Sequence, residues 1–333
     1  MVASRVTRSN NLSVVLPEGE GAVKLQSNCL NVLKKHLRRA LGKIYGLLGI
    51  SKLREDVAVL RQVAPGVAKE SQLLLQLAYQ QHKLSGAPMP SLNDVEFRTF
   101  SQNGEDGILW YIFSLIGTTN KRAVEICAGD GTQCNTANLI VNHGWSALLF
   151  DGNPDNVSRG NEFFRKHPDT FTFPPVFVNA WIDTGNVNLL ITSNGFSGEI
   201  DLLSLDIDGI DYWLWKAIEV VRPRVVVVEV QAIWGDTRSV TVPYRSDFKA
   251  EYIDGFGIYC GASLPAFVKL AHGKGYRLIG TQRYGFNAFF LRNDIGKDIF
   301  REVTAAEAMQ QPFAKWARET FLPKVMSRDW TEV

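Results

Sequence analysis

Glycines and a carboxylate between residues 123 and 151 are spaced as in nucleoside-binding sites. An apolar stretch at 123–128 runs into Gly129 and Gly131, where backbone amides can approach a ligand because no Cβ intervenes. Asp151 ends the next apolar stretch, 20 residues after Gly131, at the distance where a carboxylate receives ribose hydroxyls. The spacing predicts a site for an adenosine-containing ligand, with both glycines and Asp151 in contact with it.

Three ligand classes compete for this loop. A dinucleotide site requires a third glycine, where Cys134 stands, and a phosphate loop requires a Gly-Lys-Ser/Thr sequence that the chain lacks. An S-adenosylmethionine (SAM) loop has an acidic residue followed by alternating glycines, which Glu125, Gly129 and Gly131 match. Cys127 stands where that pattern usually has glycine. The remaining alternative is a strand–turn–helix whose glycines serve geometry alone.

Acidic residues also follow two later apolar stretches. Asp206 and Asp208 come after one predicted strand, and Glu229 and Gln231 end the next. Neighbouring strands lie about 4.8 Å apart, so these groups should converge and repel one another unless a cation or a shared proton intervenes. We therefore predict catalytic roles for Asp206 and Glu229, and a candidate Mg²⁺ or Mn²⁺ site at Asp206, Asp208 and Glu229. Alternatively, Asp208 only caps the following helix, with Asp211 in its first turn.

Two further segments are expected to reach the ligand. Ser101 or Asn103 can cap a helix, whereas Gln102 between them has no capping role. Gln102 is therefore expected to contact the amino-acid end of a cofactor. The connection at 231–262 is long and rich in aromatic and polar residues, as is typical of loops that set substrate specificity. Its composition suits a sugar or polyol acceptor.

The positions of these residues require a largely parallel sheet with helices on both faces. Strands are predicted near 122–127, 146–150, 175–179, 200–205, 224–230, 276–281 and 286–291. Helices are predicted near 103–116, 134–143, 154–166, 209–220 and 263–274. Only four residues join the last two strands, which must therefore form an antiparallel hairpin. The predicted fold is a Rossmann-like, seven-stranded α/β sheet with an antiparallel last strand, which favours a methyltransferase over a dehydrogenase.

The N-terminal part of the chain has a different character. Residues 1–22 are predicted to be flexible, 23–84 to be a helical appendage, 85–96 a linker and 97–333 the sheet domain. Basic residues recur along the first helical stretch at Lys34, Lys35, Arg38, Arg39 and Lys43. Such a face favours peripheral membrane contact or oligomerisation through 23–84, or is simply a solvated surface.

Composition limits the remaining classes. The 333 residues are 45% hydrophobic and 21% charged, with a net charge of +2, which gives no electrostatic reason to expect a nucleic-acid partner. Four cysteines without paired spacing argue against structural zinc and a disulfide framework. No long apolar run indicates a membrane span or a secretory signal. The expected location is cytoplasmic, with peripheral membrane association as the alternative.

Several of these motifs together resemble a known family. They are Ser101–Asp106, Val124–Gly131, Asn135–Thr136, Gly144–Trp145, Phe150–Asp151, Ser204–Gly209 and Asn287–Arg292. The set resembles FkbM-type SAM-dependent methyltransferases over residues 97–293. The resemblance implies a class I methyltransferase fold and O-methylation, commonly of sugars or secondary metabolites.

The resemblance also implies residue roles. Glu125, Gly129 and Asp130 would line the methionine end of SAM, Asp151 would hold the ribose, and Asp183 would approach the adenine. The predicted function is SAM-dependent O-methylation of a hydroxylated acceptor, a sugar, glycan or glycosylated metabolite, with a divalent metal as a candidate assistant. One rival is a metal-dependent enzyme on this fold that does not use SAM for methyl transfer. The other is a non-catalytic nucleoside-binding or membrane-associated module, against which the loop glycines and Asp151 argue.

Overall fold

The computed structural model describes residues 67–333, which belong to one compact unit. The predictions for 1–22, and for most of 23–84 with its basic face, lie outside the described residues. Within 67–333, no helix is both long enough and apolar enough to cross a bilayer.

A central sheet of seven strands organises this unit. The strands of residues 67–333 are β1 (Arg122–Ile126), β2 (Ser146–Asp151), β3 (Val176–Asn179), β4 (Gly198–Leu205), β5 (Val221–Glu229), β6 (Val240–Thr241), β7 (Glu251–Ile253), β8 (Phe256–Tyr259), β9 (Tyr276–Thr281), β10 (Asn287–Arg292) and β11 (Thr331–Glu332). The sheet order is β3-β2-β1-β4-β5-β10-β9. Strand β10 lies between β5 and β9 and is antiparallel to both, whereas β1 to β5 pair in parallel. The predicted Rossmann-like sheet with an antiparallel last strand is confirmed.

Helices cover both faces of the sheet. They are α1 (Lys69–Ser85), α2 (Glu105–Ile116), α3 (Ala137–His143), α4 (Pro154–Lys166), α5 (Val187–Ser193), α6 (Asp211–Ala217), α7 (Leu264–Lys274), α8 (Ala305–Ala308) and α9 (Pro312–Val325). Successive residues of β2 alternate between two apolar cores: Leu148 packs in one and Leu149 in the other, and both are fully buried. This two-sided burial explains why the strands read as continuous apolar runs rather than as alternating ones.

Local signals fix where several helices begin and end. Helix α4 begins after Asn153, whose side chain accepts a hydrogen bond from the Asp155 amide, and Pro154 occupies its first turn. The predicted caps of α2 are wrong: its N-cap is Gly104, without a side-chain cap. Ser101 instead accepts a hydrogen bond from the Asp106 amide through its hydroxyl.

Helix α1 packs on the domain through one buried glutamine. Gln72 donates to Oδ1 of Asn138 (3.1 Å), and its Oε1 lies 2.7 Å from the His143 ring nitrogen. The Trp110 indole donates to the Gln72 carbonyl at 2.6 Å. The last helix of the segment predicted as an appendage thus shares a buried polar network with α2 and α3.

Replacing Gln72 by Ala is expected to lower the free energy of unfolding by about 1–3 kcal/mol, because buried polar groups of Asn138 and His143 lose their partner. Urea unfolding measures this change. Gln81→Ala, at an exposed position of the same helix, is the control and should change stability little. Equal effects of the two variants would contradict the proposed role of the network.

Candidate functional site

A cavity of ≈ 640 Å³ lies at the carboxyl ends of the parallel strands. Eight of the predicted site residues line it: Gln102, Glu125, Gly129, Asp130, Asp151, Asp206, Asp208 and Glu229. Its volume falls in the range typical of small-molecule sites, roughly 300–1,000 Å³. The structure therefore brings together residues as far apart in the chain as Gln102 and Glu229.

Two predicted cofactor residues do not line this cavity. Gly131 has a φ of +75°, and a Cβ there would lie 2.7 Å from the Phe164 ring, so this glycine serves close packing. Asp183 accepts hydrogen bonds from the amides of Gly185 (2.8 Å) and Asn186 (3.0 Å), which form the turn before α5. Both residues thus have local structural partners instead of a place on the cavity wall.

Two residues of the loop after β1 have a left-handed backbone conformation. Cys127 and Gly129 have φ values of +67° and +59°, so Cys127 adopts the left-handed conformation for which glycine is usual. The Gly129 amide donates to Oδ2 of Asp151 at 3.0 Å. This bond ties the loop after β1 to the end of β2.

Glu125 holds the second half of the loop. Its carboxylate accepts hydrogen bonds from the amides of Asn135 (2.8 Å) and Thr136 (2.9 Å), and from the Thr136 hydroxyl at 2.5 Å. The Ser204 hydroxyl donates to the same carboxylate at 3.3 Å. With its acceptor positions occupied, Glu125 positions the start of α3.

Asp151 retains capacity for a ligand. Its Oδ1 accepts from the Asn153 amide (2.8 Å) and the Asn156 side chain (3.1 Å), and its Oδ2 accepts from the Gly129 amide. The Cys127 thiol, a weak donor, lies 3.9 Å from the same Oδ2. A carboxylate offers about four acceptor positions, so a ligand hydroxyl can take the position that this thiol faces. The residue is buried and lines the main cavity.

An apolar slot of ≈ 100 Å³ adjoins Asp151 on its other side. Its walls are Ile126, Cys127, Phe150, Asp151, Gly152, Ala180, Trp181, Ile182, Ile207, Gly209, Ile210, Arg245, Ser246 and Phe248. The Trp181 indole donates to the Ser246 carbonyl at 2.8 Å, which links β3 to the long connection after β5. The sequence analysis did not identify Trp181 as a site residue. Its position just after a strand, at the edge of the sheet where ligands bind, could have indicated this role. The slot suits a flat apolar ring.

A carboxyl cluster lies at the opposite side of the main cavity. Burial, then the nearby charges of Asp211 and Asp208, raise the pKa of Asp206 to about 8, while a hydrogen bond with Glu229 opposes the rise. Burial and then the charge of Asp206 raise the pKa of Glu229 well above its usual range. The raised pKa values of both carboxyl groups favour a proton held between Asp206 and Glu229. The Oε2 atom of Glu229 is buried without a protein partner.

Asp208 is not a helix cap, so that alternative is wrong. The N-cap of α6 is Ile210, and the carboxylate of Asp211 accepts from the amides of Ile207 (2.9 Å) and Gly209 (3.0 Å). Asp208 has a φ of +52° and lines the main cavity.

The predicted divalent-metal site finds no support. Across residues 67–333, no group of three or more His, Cys, Asp or Glu side chains is arranged to hold a metal ion.

Asn287, the first residue of the last motif in the family resemblance, adds an amide to the site. It pairs in register with Glu229 across β10 and β5 and lines the same cavity. Its Nδ2 donates to Glu105 at 3.0 Å, while its Oδ1 is buried without a protein partner. This oxygen is a free acceptor beside the carboxyl pair.

The carboxyl pair predicts a pH dependence of stability. The pKa of Asp206 rises from an ordinary 3.8 to about 8, so its stabilising contribution is complete below about pH 4 and is lost as the pH rises through 8. The melting temperature of the wild type should fall between about pH 5 and about pH 9, and fall less in Asp206→Asn, which cannot ionise. Asp298→Asn, at an exposed position, serves as the control for thermal unfolding. Parallel curves for wild type and Asp206→Asn would contradict the assignment.

Comparisons with known proteins add the following. No protein-family model and no curated protein matches the sequence. A magnesium protoporphyrin IX methyltransferase from Synechocystis, solved with bound SAM, is similar at 10% identity and a TM-score of 0.30, over 51% of this chain and 69% of that one. A SAM-dependent methyltransferase from Clostridium acetobutylicum is similar at 10% identity and a TM-score of 0.37, over 66% and 98%. The CcbJ methyltransferase from Streptomyces caelestis is similar at 12% identity and a TM-score of 0.36, over 54% and 87%. The fold assignment rests on the strand order itself.

Proposed function

We propose that the protein is a SAM-dependent O-methyltransferase of a hydroxylated acceptor, and that this acceptor is a glycan or a glycosylated metabolite. One observation carries the proposal: Asp151 lines both an apolar slot and a polar cavity whose wall also includes the carboxyl groups of Asp206 and Glu229. A nucleoside needs an apolar site for its base and a carboxylate for its ribose, and this junction supplies both.

The residues fit the parts of SAM in order. The slot beside Trp181 and Ile182 would take the adenine, and the spare acceptor capacity of Asp151 would take the ribose hydroxyls. Gln102 and Gly129, on the wall of the main cavity, would face the amino-acid end. SAM, when bound, supplies an electrophilic methyl group on a sulfonium. The carboxyl groups on the wall of the main cavity suit that positive charge better than they suit a pyrophosphate.

The carboxyl pair would handle the proton of the acceptor. With a pKa of about 8, Asp206 titrates close to physiological pH, where a general base is most effective. Asp206 would accept the proton of the acceptor hydroxyl as its oxygen gains the methyl group, with Glu229 keeping the shared proton. Because the shared proton balances this pair, the proposed reaction needs no divalent cation.

The polar wall beside the carboxyl pair would orient the acceptor. Tyr252 and Gly257 of the β7–β8 hairpin, with Asn287 of β10, line the cavity next to Glu229. The unpartnered Oδ1 of Asn287 is an acceptor for a hydroxyl donor. A sugar presents several hydroxyls to such a wall, which supports the glycan part of the proposal.

Isothermal titration with SAM, S-adenosylhomocysteine, NAD⁺ and ATP tests the proposal against the rival ligand classes. We expect the two adenosyl sulfur compounds to bind and the two phosphate compounds to bind much more weakly, because no basic side chain is among the residues of the main cavity. Transfer of labelled methyl from SAM to a panel of glycosides then tests the acceptor class. Binding of NAD⁺ in place of SAM would overturn the proposal.

A further inference from the structure

A second, aromatic pocket of ≈ 70 Å³ opens beside the carboxyl pair. It shares Glu229, Phe256, Gly257 and Phe286 with the wall of the main cavity. The two spaces are therefore contiguous at Glu229, where the proposed chemistry takes place.

The far wall of this pocket comes from helix α9. Phe313, Ala317 and Phe321 of α9 face the pocket together with Phe256 and Phe286. The Phe313 ring centroid is 4.8 Å from that of Phe286 and 5.8 Å from that of Phe256. Because these rings brace one another edge-to-face or tilted, the pocket keeps a defined shape.

The polar groups of the pocket are almost all occupied. The Gln231 side-chain amide donates to the Gly257 carbonyl (3.0 Å) and lies 3.2 Å from Sγ of Cys260. Its Oε1 accepts from the Ile233 amide at 3.5 Å. Within residues 67–333, Oε2 of Glu229 is the one buried side-chain nitrogen or oxygen of this lining that has no hydrogen-bond partner. A bound water needs two to four polar partners, so this space suits an apolar group better than water.

We infer that the aromatic pocket binds an apolar substituent of the acceptor, of the size of a single ring, next to the hydroxyl that faces Glu229. The inference rests on the proposed function and narrows it: the acceptor carries a ring-bearing apolar group beside its reactive hydroxyl. Helix α9 lies outside residues 97–293, and it contributes Phe313, Ala317 and Phe321 to this pocket.

Binding of 4-fluorophenol, followed by ¹⁹F NMR, tests the inference without turnover. This probe combines one ring with one hydroxyl, and we expect saturable binding to the wild-type chain. Ala317→Leu adds carbon atoms inside the pocket and should weaken binding by about tenfold or more. Ala314→Leu is the matched control, since Ala314 is equally buried in the same helix but lies outside the pocket wall.

Phe313→Ala gives a second variant if Ala317→Leu does not fold. It removes one wall and should also weaken 4-fluorophenol by about tenfold. Failure of 4-fluorophenol to bind the wild type, or equal binding to the pocket variants and Ala314→Leu, would overturn the inference. SAM titration on the same proteins separates the two claims. SAM binding without 4-fluorophenol binding rejects only the pocket, and 4-fluorophenol binding without SAM binding rejects the proposed function.

Discussion

Replacing Asp206 by Asn is expected to lower turnover by about two orders of magnitude or more, the usual range for loss of a general base. Asparagine keeps the shape and hydrogen-bonding capacity of the side chain, but it cannot accept the proton of the acceptor hydroxyl. The affinity for SAM should change little, because Asp206 lies away from the apolar slot that would hold the adenine. Single-turnover kinetics with labelled SAM measures the effect.

The neighbouring carboxyl group supplies an internal comparison. Glu229→Gln also breaks the shared proton, so it should flatten the pH–rate profile as well as slow the reaction. Asp298→Asn, exposed and distant from the cavity wall, should leave turnover unchanged. An Asp206→Asn variant that keeps the wild-type rate per folded molecule would contradict the role of this residue as a base.

Replacing Asp151 by Ala is expected to weaken SAM binding by about one to two orders of magnitude. Hydrogen bonds from ribose hydroxyls to a carboxylate contribute about 1.5–3 kcal/mol, which corresponds to that change in affinity. The variant also removes the acceptor of the Gly129 amide, so the loop after β1 loses a tie to β2. Isothermal titration of SAM into wild type and variant measures the difference.

Asp183→Ala is the matched control for this experiment. The family resemblance gave Asp183 a place beside the adenine, whereas its carboxylate is engaged by the turn before α5 and it lies off both cavity walls. We expect its removal to leave SAM affinity within about twofold of the wild type. An Asp151→Ala variant with unchanged affinity, or an Asp183→Ala variant that is weakened as much, would contradict the assigned contacts.

The sheet was predictable because its signal is local. Seven buried strands give seven apolar runs, and the five residues between β9 and β10 permit only a hairpin. Helices α8 and α9 were less accessible to prediction than α7, since their periodicity is weak and they are stabilised by packing on distant partners. The same limit applies to α1, whose Gln72 contacts Asn138 across 66 positions. A contact between residues so far apart in the chain produces no periodic pattern in the sequence.

The site was predictable where position at a strand end decides it. Asp151, Asp206 and Glu229 terminate or directly follow parallel strands, so the fold alone brings them to one edge. The sequence did not predict the roles of side chains that depend on which hydrogen-bond partners they meet in the folded chain. The Glu125 carboxylate accepts hydrogen bonds from backbone amides ten and eleven positions later. Asp211, rather than Asp208, accepts hydrogen bonds from the backbone amides before α6. The apolar slot also depends on Trp181, which is placed there only by the folded chain.

A crystal structure of the protein with S-adenosylhomocysteine tests the central claim most directly, because it places each part of the cofactor against a named wall. We expect the adenine to lie in the slot beside Trp181 and Ile182, and the ribose hydroxyls to lie within hydrogen-bonding distance of Asp151. The sulfur should lie in the main cavity on the side of Asp206. Electron density for the ligand at any other surface, or a ribose that does not contact Asp151, would contradict it.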